Sequence, residues 1–80
     1  MSITNIYIIL NRQTSHKYIG YDTLPLNKVW GNILKNYKNE NTPLSNAIEH
    51  YSGESFTIRI LEEVNENKVR ERVQYWTEKY

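Results

Sequence analysis

Eighty residues, 39% of them hydrophobic, suit one small domain with a thin core rather than several. The absence of cysteine excludes disulfide staples, thiolate chemistry and thiolate zinc sites together. The net charge of +1 is far from the strong basic excess of a dedicated nucleic-acid binder. No stretch approaches a membrane span and no secretory-type leader opens the chain, so a soluble, intracellular protein without a membrane partner is expected.

Two apolar runs come first, Asn5–Leu10 and Lys17–Tyr21, separated by the turn-prone segment NRQTSH. Their β-branched and aromatic content predicts two strands joined as a hairpin with a loop longer than the minimum. Alternation places Ile6, Ile8 and Leu10 on one face and Tyr7 and Ile9 on the other, with Tyr7 and Tyr18 near the middles of their strands. Asp22–Pro25 reads as a turn and helix start. Leu26, Val29, Trp30, Ile33, Leu34 and Tyr37 then recur at steps of three and four, the stripe of an amphipathic helix. Gly31 lies inside that helix and is expected to mark a close contact.

Lys38–Asn41 reads as a polar loop. Thr42 is the predicted N-cap of a second helix with Pro43 at its first position, running through Leu44, Ala47, Ile48 and Tyr51. Gly53 is its expected left-handed cap. Ser55–Leu61 alternates Phe56, Ile58 and Ile60 against Thr57 and Arg59, a half-buried strand, and Glu62 to Asn67 reads as a polar connection. A last helix from about Glu66 carries Val69, Val73, Trp76 and Tyr80 on one stripe. The order β-β-α-α-β-α over residues 1–80 predicts a single α+β domain with a three-stranded, antiparallel-type sheet and helices packed against it.

Asn5-Ile6-Tyr7, ten residues, and Tyr18-Ile19-Gly20 together resemble the paired motif of the GIY-YIG nuclease superfamily. The resemblance extends to Asn11 after the first motif, Trp30 in the first helix, the run NTPLSNAIEHYSGESFTIRILEE and the final VRERVQYWTEKY. It covers nearly the whole chain in order, although Asn5 stands where the motif has glycine. Its implied fold is the one read above. Its implied chemistry is metal-dependent cleavage of DNA. That requires a base to activate water, a cation for the phosphorane charge and a carboxylate for a divalent metal.

The motif positions Tyr7, Tyr18 and Gly20 are present, but the rest of the implied site is replaced. Aligned on Trp30, with one extra residue in the preceding loop, the family's arginine position is Val29 and its histidine position is Ile33. Aligned on Tyr75-Trp76, the glutamate position is Val73. Lys28 is a partial substitute for the arginine, a point charge instead of a planar fork. Glu71 lies two positions before Val73, about 200° away around a helix, and aims elsewhere. His16 and His50 lack partners at metal-ligand spacing. No catalytic residue, metal site or cofactor is therefore expected, Mg²⁺ being required only if the domain is active.

Val29, Ile33 and Val73 all fall on apolar helix stripes and admit two readings that do not exclude each other. They are core filler where an unpaired charge would be costly, or they form an apolar docking face for a protein partner or a second copy of the chain. Residues 1–40 carry a net +3 and residues 41–80 a net −2. Arg12, Lys17, Lys28, Lys35 and Lys38 are thus candidates for weak DNA binding, with ordinary solubilisation the simpler reading. Seven Tyr and two Trp suit base stacking, interface anchoring or plain core packing.

The expected function is that of a catalytically inactive GIY-YIG-like domain acting by binding. The resemblance implies a phage or mobile-element protein, which would work in the host cytoplasm. Its expected role is to inhibit or decoy a host nuclease or defence complex by protein contact. The alternatives are a DNA-binding regulator and an active endonuclease.

Overall fold

The computed structural model describes residues 3–80. The strands β1 (Ile3–Asn11), β2 (Lys17–Asp22) and β3 (Phe56–Asn65) form one antiparallel sheet in the order β2-β1-β3. The helices α1 (Leu26–Asn36) and α2 (Pro43–Tyr51) follow the hairpin, and α3 (Val69–Lys79) follows β3. The expected α+β architecture is present.

β1 lies in the middle of the sheet, which explains its unbroken apolar run. A strand covered on both faces has no polar side to alternate with. Ile9, Ile48 of α2 and Phe56 form one buried cluster, joined by Tyr7, Tyr18, Trp30 and Ile33. Ile6, Val64 and Val69 form the other, joined by Ile19, Leu61, Val73 and Trp76. Strand alternation assigns these clusters to opposite faces. α1 and α2 therefore cover one side of the sheet and α3 the other.

β3 runs to Asn65, four residues beyond its expected end, so Glu62–Asn65 is strand rather than connection. The pairing with β1 steps from Tyr7–Ile60 to Ile6–Glu62 and leaves Leu61 as an extra residue, a β-bulge. Before the bulge, Phe56 and Ile58 face α1 and α2; after it, Glu62 and Val64 face α3. Ile60, expected to be half-buried with them, is 42% exposed.

Thr42 caps α2 as expected. Its hydroxyl accepts from the Ser45 amide at 3.1 Å, and the Ser45 hydroxyl accepts from the Thr42 amide at 2.8 Å, a reciprocal capping box. The far end differs from expectation. Ser52, not Gly53, takes the positive φ of 71°. Gly53 opens a 3₁₀ turn, where a Cβ would come within 2.8 Å of Leu34 Cδ2. Gly31 has no neighbour within 4 Å of a would-be Cβ, so the close contact expected there is absent.

Candidate functional site

Pairing within the hairpin sets the geometry of the motif residues. Tyr7 stands opposite Gly20 and Ile9 opposite Tyr18, so both tyrosines project from the α1 side of the sheet. The Tyr7 ring lies across Gly20. A Cβ on Gly20 would meet Tyr7 at Oη, Cζ and Cε1 at 2.5, 2.6 and 2.9 Å. Glycine is thus the residue that lets the phenol cross the neighbouring strand. No hydrogen bond links the two tyrosine side chains among the described residues. Burial, and secondarily the charge of Asp22, push the Tyr7 phenol above its ordinary value.

The three replaced positions do not form one face. Val29 is buried at 3% exposure. Ile33 packs in the Ile9 cluster, whereas Val73 packs against the Ile6 cluster on the opposite side of the sheet. The expected common docking surface of Val29, Ile33 and Val73 is corrected accordingly: the sheet lies between its parts. Val73 also lines a groove of about 450 Å³ with Tyr21, Val69 and Arg70.

Among the described residues no three His, Asp or Glu side chains converge. Glu71 pairs with Lys68 at 3.9 Å on the exposed side of α3. Glu62 is held by Arg72 and Trp76, whose Nε and Nε1 donate to the same Oε1 at 2.8 and 3.0 Å. His50 packs edge-on against Tyr51, and His16 lies in the hairpin loop.

This Glu62–Arg72–Trp76 cluster was not legible in the sequence. The i, i+4 spacing of Arg72 and Trp76 was a usable signal, but their partner sat in a segment read as loop. The Arg72 hydrogen bond, then that of Trp76, holds the Glu62 carboxyl below its ordinary value. A depressed carboxyl stabilises the fold above its unfolded value of 4.5 and loses that contribution as pH falls through the lower folded value. Thermal unfolding followed against pH is therefore expected to show a shallower acid limb for Glu62→Gln than for the parent protein. Parallel acid limbs would exclude this role.

The five candidate cations are all exposed, and none is in an ion pair among the described residues. The Arg12 guanidinium donates to the Glu54 carbonyl, tying the hairpin loop to the turn after α2. Asn11 is fully buried beneath that loop, and its Oδ1 accepts from the Gln13 amide at 2.9 Å. Lys28 and Lys35 lie seven residues apart, hence on one exposed side of α1, and Lys38 follows in the 3₁₀ turn after it.

A three-stranded antiparallel sheet between these helices, with the Tyr7 ring laid across Gly20 of the neighbouring strand, is the fold of a GIY-YIG-like domain. Two solved structures to which it is similar are of the I-TevI catalytic domain. A point-mutant catalytic domain of intron endonuclease I-TevI matches at TM-score 0.81 and 22% identity, over 96% of this chain and 82% of that chain. The catalytic domain of homing endonuclease I-TevI matches at TM-score 0.76 and 23% identity, over 95% and 86%. No family model and no curated protein sequence matches the chain.

Proposed function

We propose that this is a non-cutting GIY-YIG-like domain that works by binding, with duplex DNA as its ligand. The observation that carries the first half is the packing of Val73 among apolar side chains at the position where the resemblance calls for a metal-binding carboxylate. The buried Val29 in place of arginine agrees with it. Without a fixed cation and a metal-holding carboxylate, in-line attack on a phosphodiester lacks its stabilising groups.

For the ligand, the support is the set of unpaired cations on the hairpin and α1, together with similarity to domains named as endonucleases. Few phosphate contacts imply weak, sequence-independent binding with a shallow salt dependence, a slope of about −0.9 per neutralised phosphate. A second reading is inhibition or decoying of a protein target by contact. Tyr21, 58% exposed beside Val73 at the β2 edge, favours it.

The test is incubation with supercoiled plasmid in Mg²⁺ or Mn²⁺, followed by gel shift of a short duplex. The plasmid is expected to stay intact, and the shift to weaken on combined Lys28→Gln, Lys35→Gln and Lys38→Gln substitution. Nicking that disappears with Tyr18→Phe would overturn the non-cutting assignment. A duplex that does not bind at low salt would move the protein-contact reading to first place.

A further inference from the structure

The chain holds three glycines, and two of them have a reason inside the molecule. A Cβ on Gly20 would strike the Tyr7 ring, and one on Gly53 would strike Leu34. Gly31 differs: among the described residues nothing lies within 4 Å of a Cβ built there. Its φ is not positive and it stands exposed in the middle of α1, where alanine would make the stronger helix. Of the residues three and four positions away, Asn27, Lys28 and Lys35 are exposed and polar, and Leu34 turns toward Gly53. α1 contains no Asp or Glu, and neither lysine is in an ion pair among the described residues. Lys28 and Lys35 thus flank a shallow dip in the helix surface, about 10 Å apart along its axis.

We propose that the sugar-phosphate backbone of duplex DNA packs against α1 at Gly31, with Lys28 and Lys35 on the phosphates to either side. Without a Cβ in the way, the backbone comes close enough to the helix for both ammonium groups to reach it at once. Charge decides the occupant. A helix face without acids, carrying two unpaired cations, matches a polyanion. A protein partner would need a desolvated centre at the glycine, and lysine is depleted from such centres. Glycine has no group that reads a base edge, so the contact is with the backbone and independent of sequence. The inference rests on the duplex-DNA reading of the function. It adds the surface of contact, and a residue without charge that governs affinity.

The test is a pair of measurements on the same variants, thermal unfolding and fluorescence anisotropy with a labelled duplex at low salt. Gly31→Ala is expected to raise the unfolding midpoint by about 5 °C, since alanine is the better helix former, and yet to weaken duplex binding. Gly31→Leu puts a longer side chain in the path of the backbone and should weaken binding about tenfold, close to the loss of one phosphate contact. Lys28→Gln combined with Lys35→Gln should lower the salt slope by about 1.8. In the unmutated protein, the amides of Lys28, Gly31, Asn32 and Lys35 should shift on titration with the duplex. A more stable Gly31→Ala protein that binds duplex as tightly as the parent would overturn the close approach and leave the DNA reading standing. A lowered midpoint would show that the fold itself needs glycine there, and would overturn the close approach as well. Loss of self-association in Gly31→Ala, with duplex binding unchanged, would give the face to a second copy of the chain instead. No duplex binding by the parent protein would overturn this inference and the DNA reading together.

Discussion

Ile9→Ala is expected to leave the domain largely unfolded at 37 °C. Ile9 is fully buried in the central strand and packs with Ile48 of α2 and with Phe56, so its truncation opens the core beneath α2. Such deletions cost about 2–5 kcal/mol, and a domain of this size has a total stability of roughly 3–5 kcal/mol to lose. Ile9→Val removes one methylene at the same place and should cost only about 1 kcal/mol. Chemical denaturation of the two variants decides the matter. A midpoint for Ile9→Ala close to that of Ile9→Val would mean that the α2 side of the core collapses onto the gap.

Gly20→Ala is expected to destabilise the fold by about 1–3 kcal/mol, the usual cost of forcing an extra group into packed space. For a domain of this length that lowers the midpoint of thermal unfolding by roughly 5–20 °C. The cause is specific: the new methyl would occupy the space of the Tyr7 ring, within 3 Å of three of its atoms. The phenol would be displaced from the burial that keeps its pKa high, so its alkaline titration should move toward the ordinary tyrosine value. Removing the ring should remove the penalty. Tyr7→Ala combined with Gly20→Ala is expected to be more stable than the sum of the two single effects, with a coupling of about 1 kcal/mol or more. Strict additivity would show that Gly20 is required for some reason other than Tyr7.

The second tyrosine-glycine motif is thus partly a packing device. Its glycine is explained by the ring opposite, without reference to catalysis. That separates two things the motif carries, a hairpin that holds a phenol across a strand and a site that uses it. This chain has the first. At Val29, Ile33 and Val73 it has apolar groups where the resemblance calls for polar ones, and each is packed according to its own helix.

Local chemistry made much of the chain legible. Period-two alternation of Ile6, Tyr7, Ile8 and Ile9 assigned their faces, because successive strand side chains must point to opposite sides. Thr42-Pro43 marked the start of α2, since a side-chain acceptor followed by a residue lacking an amide hydrogen matches the unsatisfied donors of a helix end. Gly53 misled because glycine at a helix end is the usual left-handed residue, whereas here Leu34, nineteen residues earlier, sets the space it must fit.

What the sequence by itself determined, then, is the order and type of the elements and the identity of the residues at the replaced site positions. These depend on interactions between near neighbours in the chain, which periodicity and capping express directly. What only the tertiary structure decided is how the faces are shared. The bulge at Leu61 turns Glu62 toward α3, where Arg72 and Trp76 meet it, and the same sheet separates Ile33 from Val73. Such groupings depend on where an extra strand residue is accommodated and on which side of the sheet each helix packs. Both are fixed by the competition of distant side chains for the same buried space.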